Sequence, residues 1–225
     1  MRKLTIFFDE EQLSKKIKII GIGRAEFLLM LMVIGYVITF SYFTIMKHYA
    51  FRTNAWDVGG FAQAFWTTLR FGKVFEYNVE FYLTSSKSFF GIHFSPILYA
   101  VLPFYALYPR TETLLIIQTV ILALAALPVY LLARDVLNSR LAGLVFAASY
   151  LLSPLVQGVN WFDFHLEAFL PLEYLYALYF MRKNKYLLYA AFIALTLVTL
   201  EQMAIVNLFL AFSLLFIYKL SLIHI

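Results

Sequence analysis

Residues 26–46 read EFLLMLMVIGYVITFSYFTIM, with a single charge at the first position. A helix needs about 20 mostly apolar residues to cross a hydrocarbon core roughly 30 Å thick. Runs this long and this poor in charge mark membrane helices rather than soluble elements. The pattern recurs at 113–133, 141–158, 167–181, 186–200 and 203–218, the last four on the short side. Hydrophobic residues make up 63% of the chain and charged ones 14%, whereas soluble domains average about half and a quarter. A water-soluble domain is thereby excluded. The chain reads as an all-α polytopic membrane protein with about six transmembrane helices.

One further apolar segment, SPILYAVLPFYALYP at 95–109, decides the topology. Its 15 residues cover only about 22 Å as a helix, and Pro96, Pro103 and Pro109 favour breaks or kinks. Arg2, Lys3, Lys15, Lys16, Lys18 and Arg24 precede the first span, which places the N-terminus in the cytoplasm. If 95–109 does not cross, then Arg134, Arg140, Arg182, Lys183, Lys185 and Lys219 all fall on that same side. If it crosses, every later loop inverts. We therefore read 95–109 as re-entrant or juxtamembrane. The expected layout is a cytoplasmic segment 1–25, a transmembrane domain 26–219 with a long outer loop 47–112, and a short tail 220–225, in the plasma membrane. The first 24 residues are mixed polar and basic, and the following run is too long for the core of a signal peptide, so it reads as a retained span. Basic residues sit at span ends rather than on one soluble face, so the net charge of +5 reflects topology, not nucleic-acid binding. The absence of cysteine excludes disulfides and thiolate metal sites.

This layout gathers the acids on the outer side. In FRTNAWDVGGFAQAFW, residues 51–66, Phe61, Phe65, Trp66 and Leu69 recur at helical spacing after Asp57, while Gln63, Thr67 and Arg70 are polar. This predicts an amphipathic helix lying in the interface with aromatic anchors. Asp57 stands where an N-cap belongs, and capping and ligand binding are equally open for it. Gly59 and Gly60 weaken a first turn but leave its backbone N–H groups open to a phosphate. The second outer turn, VNWFDFHLEAFLPLE at 159–173, sets Asp163, His165 and Glu167 within five residues, with metal or phosphate chemistry available to them. A solvated acidic loop is the plainer alternative. His93, in GIHFSP, is of a kind more often structural than ligating. Glu201 and Gln202 open the third outer turn, where an acid suits a helix N-terminus. Gln118 and Glu173 interrupt spans, and intramembrane polar groups point to function because their burial is costly.

WDVGGFAQAFW, GIHFSPILYAVLPFYALYP, IIQTVILALAALPVYLLAR and FDFHLEAFLPLEYLYAL resemble an uncharacterised family of predicted membrane proteins from archaea and bacteria. The order of one span, a long outer loop with an early acid, a juxtamembrane segment and a second acidic outer turn is similar to the N-terminal module of the GT-C superfamily. Those are polytopic glycosyltransferases that use polyprenyl-phosphate-linked sugars. The resemblance covers most of 25–210. It implies that Asp57 is the catalytic base or orients the acceptor. It assigns Asp163, His165 and Glu167 to the donor phosphate or a metal, with or without a divalent cation (Mg or Mn). His93, Glu201 and Gln202 would support the site, although Gln202 stands where a second acid is expected. Gln118 and Glu173 would border the path of a lipid tail. Family members are longer, so the chain reads as a truncated one.

The implied partners are the bilayer, a polyprenyl-phosphate-linked sugar and an acceptor of unknown identity. Two other classes remain open. A transporter would run a polar path through Glu173, Gln118 and Glu201, but no repeated broken helices support it. A non-catalytic lipid-binding or assembly subunit would use the same surface without turnover. In this cysteine-free chain, single cysteines at Ser85 and Asn184 report orientation directly. An impermeant maleimide should label position 85 and not position 184 in intact cells; labelling at 184 would invert the site's side of the membrane.

Overall fold

A computed structural model describes residues 23–78, 82–83 and 85–223, the last seven of these as backbone alone. Most of the expected cytoplasmic segment and the end of the tail lie outside the described residues. Among these residues the protein is helical, with one isolated antiparallel bridge, Glu76 to Ser88.

Helix α1, Arg24–Tyr49, runs 26 residues and is apolar enough to cross a bilayer. Lys47 and His48 occupy its last turn, where positive charge complements the helix dipole. Helices α4 (Thr111–Leu124) and α5 (Ala126–Leu137) join through Ala125 into a second rod, Thr111–Leu137, of sufficient length. Between the two rods lie α2 (Gly60–Phe71) and α3 (Leu98–Leu107). With ten residues, α3 covers about 15 Å, half the hydrocarbon core, and it contains Pro103.

The segment read as a span at 141–158 is broken. Helix α6 (Arg140–Leu151) and helix α7 (Pro154–Trp161) meet at 43°. Pro154 causes the break: it disfavours helical geometry in the residue before it and pre-forms the first turn after it. A 3₁₀ turn, Leu166–Phe169, then leads into α8 (Leu170–Arg182), followed by α9 (Tyr186–Thr199) and α10 (Met203–Ile223). By length and composition two helices can cross a membrane alone, or three if the bent pair is one span. At 13 and 14 residues, α8 and α9 reach only about 20 Å each.

Four helix pairings build the bundle: α5 on α6, α8 on α9, α1 on α4, and α1 on α6. Asn138 and Asn184 take left-handed backbone at the two hairpin turns, with φ of 47° and 57°. One core cluster fills the end that carries the long loops. There Phe65, Phe75, Phe164 and Tyr105 are buried, and Phe65 meets Phe75 edge-on at 5.4 Å between centroids. The second cluster, around Tyr36, Ala123, Ala126, Tyr130 and Ala147, lies between α1, α4–α5 and α6.

Residues 75–78 fold onto α2 rather than spreading away from it. Thr67 donates to the Glu76 carbonyl at 2.6 Å, and Gln63 accepts from the Asn78 N–H at 3.1 Å. This corrects the expectation that Phe61, Phe65 and Trp66 anchor α2 in an interface. Phe65 is wholly buried and Phe61 packs against the same core, leaving Trp66 and Leu69 as the exposed members. Helical spacing identified one apolar face but not what covers it.

Gly143 marks a close contact between α6 and α5. A Cβ there would sit 2.7 Å from the Tyr130 ring and 2.9 Å from the Tyr130 carbonyl oxygen. Tyr130 cannot yield, being 1% exposed and donating its hydroxyl to Glu26 at 2.8 Å. Gly143→Val should therefore cost about 1–3 kcal/mol through overpacking, read as lowered thermal stability in detergent. Unchanged stability would show that α5 and α6 separate freely.

Candidate functional site

The site begins with how two loops are pinned to the bundle. Lys47, on the last turn of α1, spends all three ammonium protons on one segment. They go to the Trp161 carbonyl at 2.9 Å, the Phe162 carbonyl at 3.2 Å and Asp163 Oδ1 at 2.8 Å. The pair is sheltered, with side-chain exposures of 12% and 3%. Asp163 Oδ2 accepts the Asn54 N–H at 2.5 Å, so one carboxylate fastens the first loop to the second. From beneath, buried Gln118 on α4 accepts the His165 N–H at 2.7 Å and donates to the Val159 carbonyl at 3.2 Å. Thr119 donates to Asn160 at 2.9 Å, and Asn160 donates to the Tyr36 hydroxyl at 3.4 Å. Irregular backbone among apolar helices must find its hydrogen bonds inside the protein, and these side chains supply them.

Asn54, fixed in this way, opens the turn that carries Asp57. Its side chain accepts the Trp56 N–H at 2.9 Å, making Asn54 the cap of the π-helical turn Ala55–Gly59. The N-cap reading of Asp57 is corrected: the acid lies inside the turn, and Asn54 caps it. Nor are the glycine amides open to a phosphate. Gly59 N–H donates to the Asn54 carbonyl at 3.4 Å and Gly60 N–H to the Asp57 carbonyl.

With its backbone role removed, Asp57 presents its carboxylate to a cavity of about 170 Å³ at the loop end. Asp57 Oδ1 lies 3.5 Å from His165 Nε2, with side-chain exposures of 20% and 27%. His165 Nδ1 stands 3.1 Å from the Asp163 carbonyl oxygen, which can only accept, so Nδ1 carries the proton. In the neutral ring, Nε2 is then a lone pair facing a carboxylate.

A second pair lies on the same cavity. His93 Nδ1 is 3.1 Å from Glu201 Oε1, and the Phe94 N–H donates to Glu201 Oε2 at 3.1 Å. Partial burial pushes the Glu201 carboxyl up, but its bonds to His93 and to backbone N–H groups outweigh this and hold it below its ordinary value. Glu167 and Gln202 contribute polar lining, while Trp56, Phe61, Tyr77 and Phe89 form aromatic wall.

The structure thus brings Asp57, His165, Glu167, His93 and Gln202 to one cavity, with Glu201 behind His93. It separates three other sequence candidates from them. Asp163 turns away from His165 and Glu167 toward Lys47. Gln118 serves the loop backbone, and Glu173 lies elsewhere, buried against α9 with its Oε1 2.7 Å from the Thr199 hydroxyl oxygen. Among the described residues no three His, Asp or Glu side chains converge to hold a metal ion. Sequence reasoning missed Lys47, Asn54 and Asn160. Lys47 did carry a signal: a cation at the end of a span opposite the basic terminus is out of place unless something fixes it there.

An all-helical bundle with membrane-length apolar rods and a polar cavity at its loop end defines a helical membrane protein. The chain belongs to the DUF2079 family of predicted membrane proteins, whose family model matches residues 47–221. No curated protein and no solved structure matches it.

Lys47→Met leaves the Asp163 carboxylate buried without its cation, which should cost about 3–5 kcal/mol, measured by thermal or denaturant unfolding in micelles. Lys47→Met with Asp163→Asn should recover most of that loss. Equal losses in the single and double variants would show that charge pairing is not what holds the loops.

Proposed function

We propose that this chain is a GT-C-like membrane glycosyltransferase that passes a sugar from a polyprenyl-phosphate carrier to a hydroxyl acceptor outside the membrane. The observation that carries the reading is the Asp57–His165 pair, 3.5 Å apart on the wall of an aromatic-lined cavity. Aromatic faces suit the apolar faces of sugar rings, and carboxylates and amides suit their hydroxyls. The acceptor hydroxyl would lie between Asp57 and His165 Nε2. As its oxygen bonds to the sugar's anomeric carbon, its proton passes to Nε2, and Asp57 offsets the imidazolium charge. The anomeric carbon–oxygen bond to the phosphate breaks, and the phosphate leaves with that electron pair. His93, held by Glu201 through Nδ1, would donate to it from Nε2 in its imidazolium form. A divalent cation finds no three-ligand set among the described residues, so no step runs through one. Assays with EDTA and with added Mg or Mn report whether a cation joins Asp57 and Glu167.

Orientation and span number belong to the same proposal. Six crossings, by α1, α4–α5, α6–α7, α8, α9 and α10, put the N-terminus in the cytoplasm and the cavity outside the plasma membrane. In support, Lys183 pairs with Asp135 at 2.6 Å and Arg134 lies 4.0 Å from Glu26. The basic hairpin turns thereby gather at the end of α1 opposite Lys47. The transporter alternative loses support, because Gln118 is committed to loop backbone rather than to a path shared with Glu173.

Asp57→Asn and His165→Gln should each lower transfer from a polyprenyl-phosphate sugar by roughly 10²–10⁴-fold, at unchanged membrane levels and carrier binding. Wild-type turnover in either variant would remove that residue from the chemistry. Carrier binding by the wild-type protein without any turnover would favour the lipid-binding subunit.

A further inference from the structure

Away from the loop-end cavity, a second cavity of about 220 Å³ opens between α3, α4, α8 and α9. Among its lining residues Glu173 alone is polar; the rest are aliphatic or phenylalanine. Ala100 and Phe104, on α3, are exposed at its edge, which puts its mouth on the flank of the bundle. Helix α3 is held there as a wall, because the Ile97 N–H donates to the Val198 carbonyl at the end of α9 at 2.9 Å. A dry apolar cavity of about 150 Å³ already accommodates a benzene-sized guest.

The carboxyl on this wall is incompletely satisfied. Glu173 is 2% exposed, its Oε1 lies 2.7 Å from Thr199 Oγ1, and its Oε2 is buried with no hydrogen-bond partner. No cation pairs with it among the described residues. Thr199 has one hydroxyl proton and two acceptors in reach, Glu173 Oε1 and the Leu195 carbonyl at 3.0 Å. Both contacts are satisfied when Glu173 is a neutral acid donating from Oε1 to Thr199, which leaves Oε2 as a bare acceptor. If Thr199 donates to Glu173 instead, the acid's own proton sits on Oε2 as a bare donor. A hydroxyl group, donor and acceptor at once, answers either placement, whereas a carboxylate or phosphate would meet a neutral acid with nothing to offset its charge.

We propose that this cavity is a lateral binding site for a neutral, hydroxyl-bearing lipid chain, entering past Ala100 and Phe104 and ending on Glu173. The hydroxyl seats as the Glu173 carboxyl turns its second oxygen to the cavity. The site does not depend on sugar transfer, and its test involves no turnover, so either reading can fail alone. The purified full chain in micelles is treated with dicyclohexylcarbodiimide, an apolar reagent that adds to neutral carboxylic acids, and adducts are mapped by mass spectrometry. Glu173 should be modified, whereas a water-soluble carbodiimide should leave it untouched. Dodecanol or a short polyprenol should slow the modification severalfold, and dodecane should not. Protection by the polyprenol alone would identify a carrier-type alcohol, and protection by dodecanol alone a straight-chain lipid; either supports the site. Ala100→Trp, at the exposed mouth, should slow modification and remove the alcohol's effect. The proposal is overturned if Glu173 is unmodified, if the water-soluble reagent reaches it equally, if dodecane protects as well as dodecanol, or if Ala100→Trp changes nothing.

Discussion

The Lys47 ammonium is the point on which the loop end of the molecule depends. Its three protons reach two carbonyls and one carboxylate of the segment 161–163. The same carboxylate takes the Asn54 N–H, and the Asn54 side chain shapes the turn that carries Asp57. One desolvated charge thus sets the relative position of two loops more than a hundred residues apart. A neutral side chain at 47 could not satisfy those acceptors, and a buried carboxylate without its cation is among the most destabilising features a fold can carry.

The same economy governs the rest of the bundle. Long apolar helices gain little from burying apolar surface against one another when the surroundings are lipid, so close contact and hydrogen bonds must supply specificity. Gly143 supplies contact by letting α6 reach the Tyr130 ring. Gln118, Thr119 and Asn160 supply hydrogen bonds beneath the second loop. Tyr174, Asn207 and Thr196 do so between α8, α9 and α10, with contacts of 2.8 Å each. The loop-end cavity inherits its rigidity from these contacts: each of its two histidines has Nδ1 committed to a fixed acceptor.

Several parts of this arrangement were legible in the chain. Helices fall at every apolar run, although 141–158, read as one span, is broken at Pro154. The acids and histidines of the two loops were expected on one face of the membrane; Asp57, His165, Glu167 and His93 line one cavity, and Asp163 does not. What failed was the assignment of direction. Asp163, two residues from His165, is instead claimed by Lys47, a cation 116 residues away that no local pattern reveals. Phe61 and Phe65 face the core because residues 75–78 fold back over α2, a long-range event that helical spacing does not encode. The capping role passed from Asp57 to Asn54 once a hydrogen bond from a distant loop fixed where the turn begins.

By itself the sequence determined that the chain is helical and bound for a membrane, where its elements lie, and which few polar residues must be accounted for. Those follow from local physics: the length of an apolar run, the period of a helix and the cost of a charge in hydrocarbon. Only the tertiary structure decided which of those polar residues hold the fold and which remain free for chemistry. Lys47 and Asp163 satisfy each other, and together with Gln118 they satisfy the loop backbone, leaving Asp57 and His165 facing a cavity and Glu173 with one oxygen unclaimed. That division rests on which donor finds which acceptor across the chain, and pairing at such distances is set by packing, not by any local pattern.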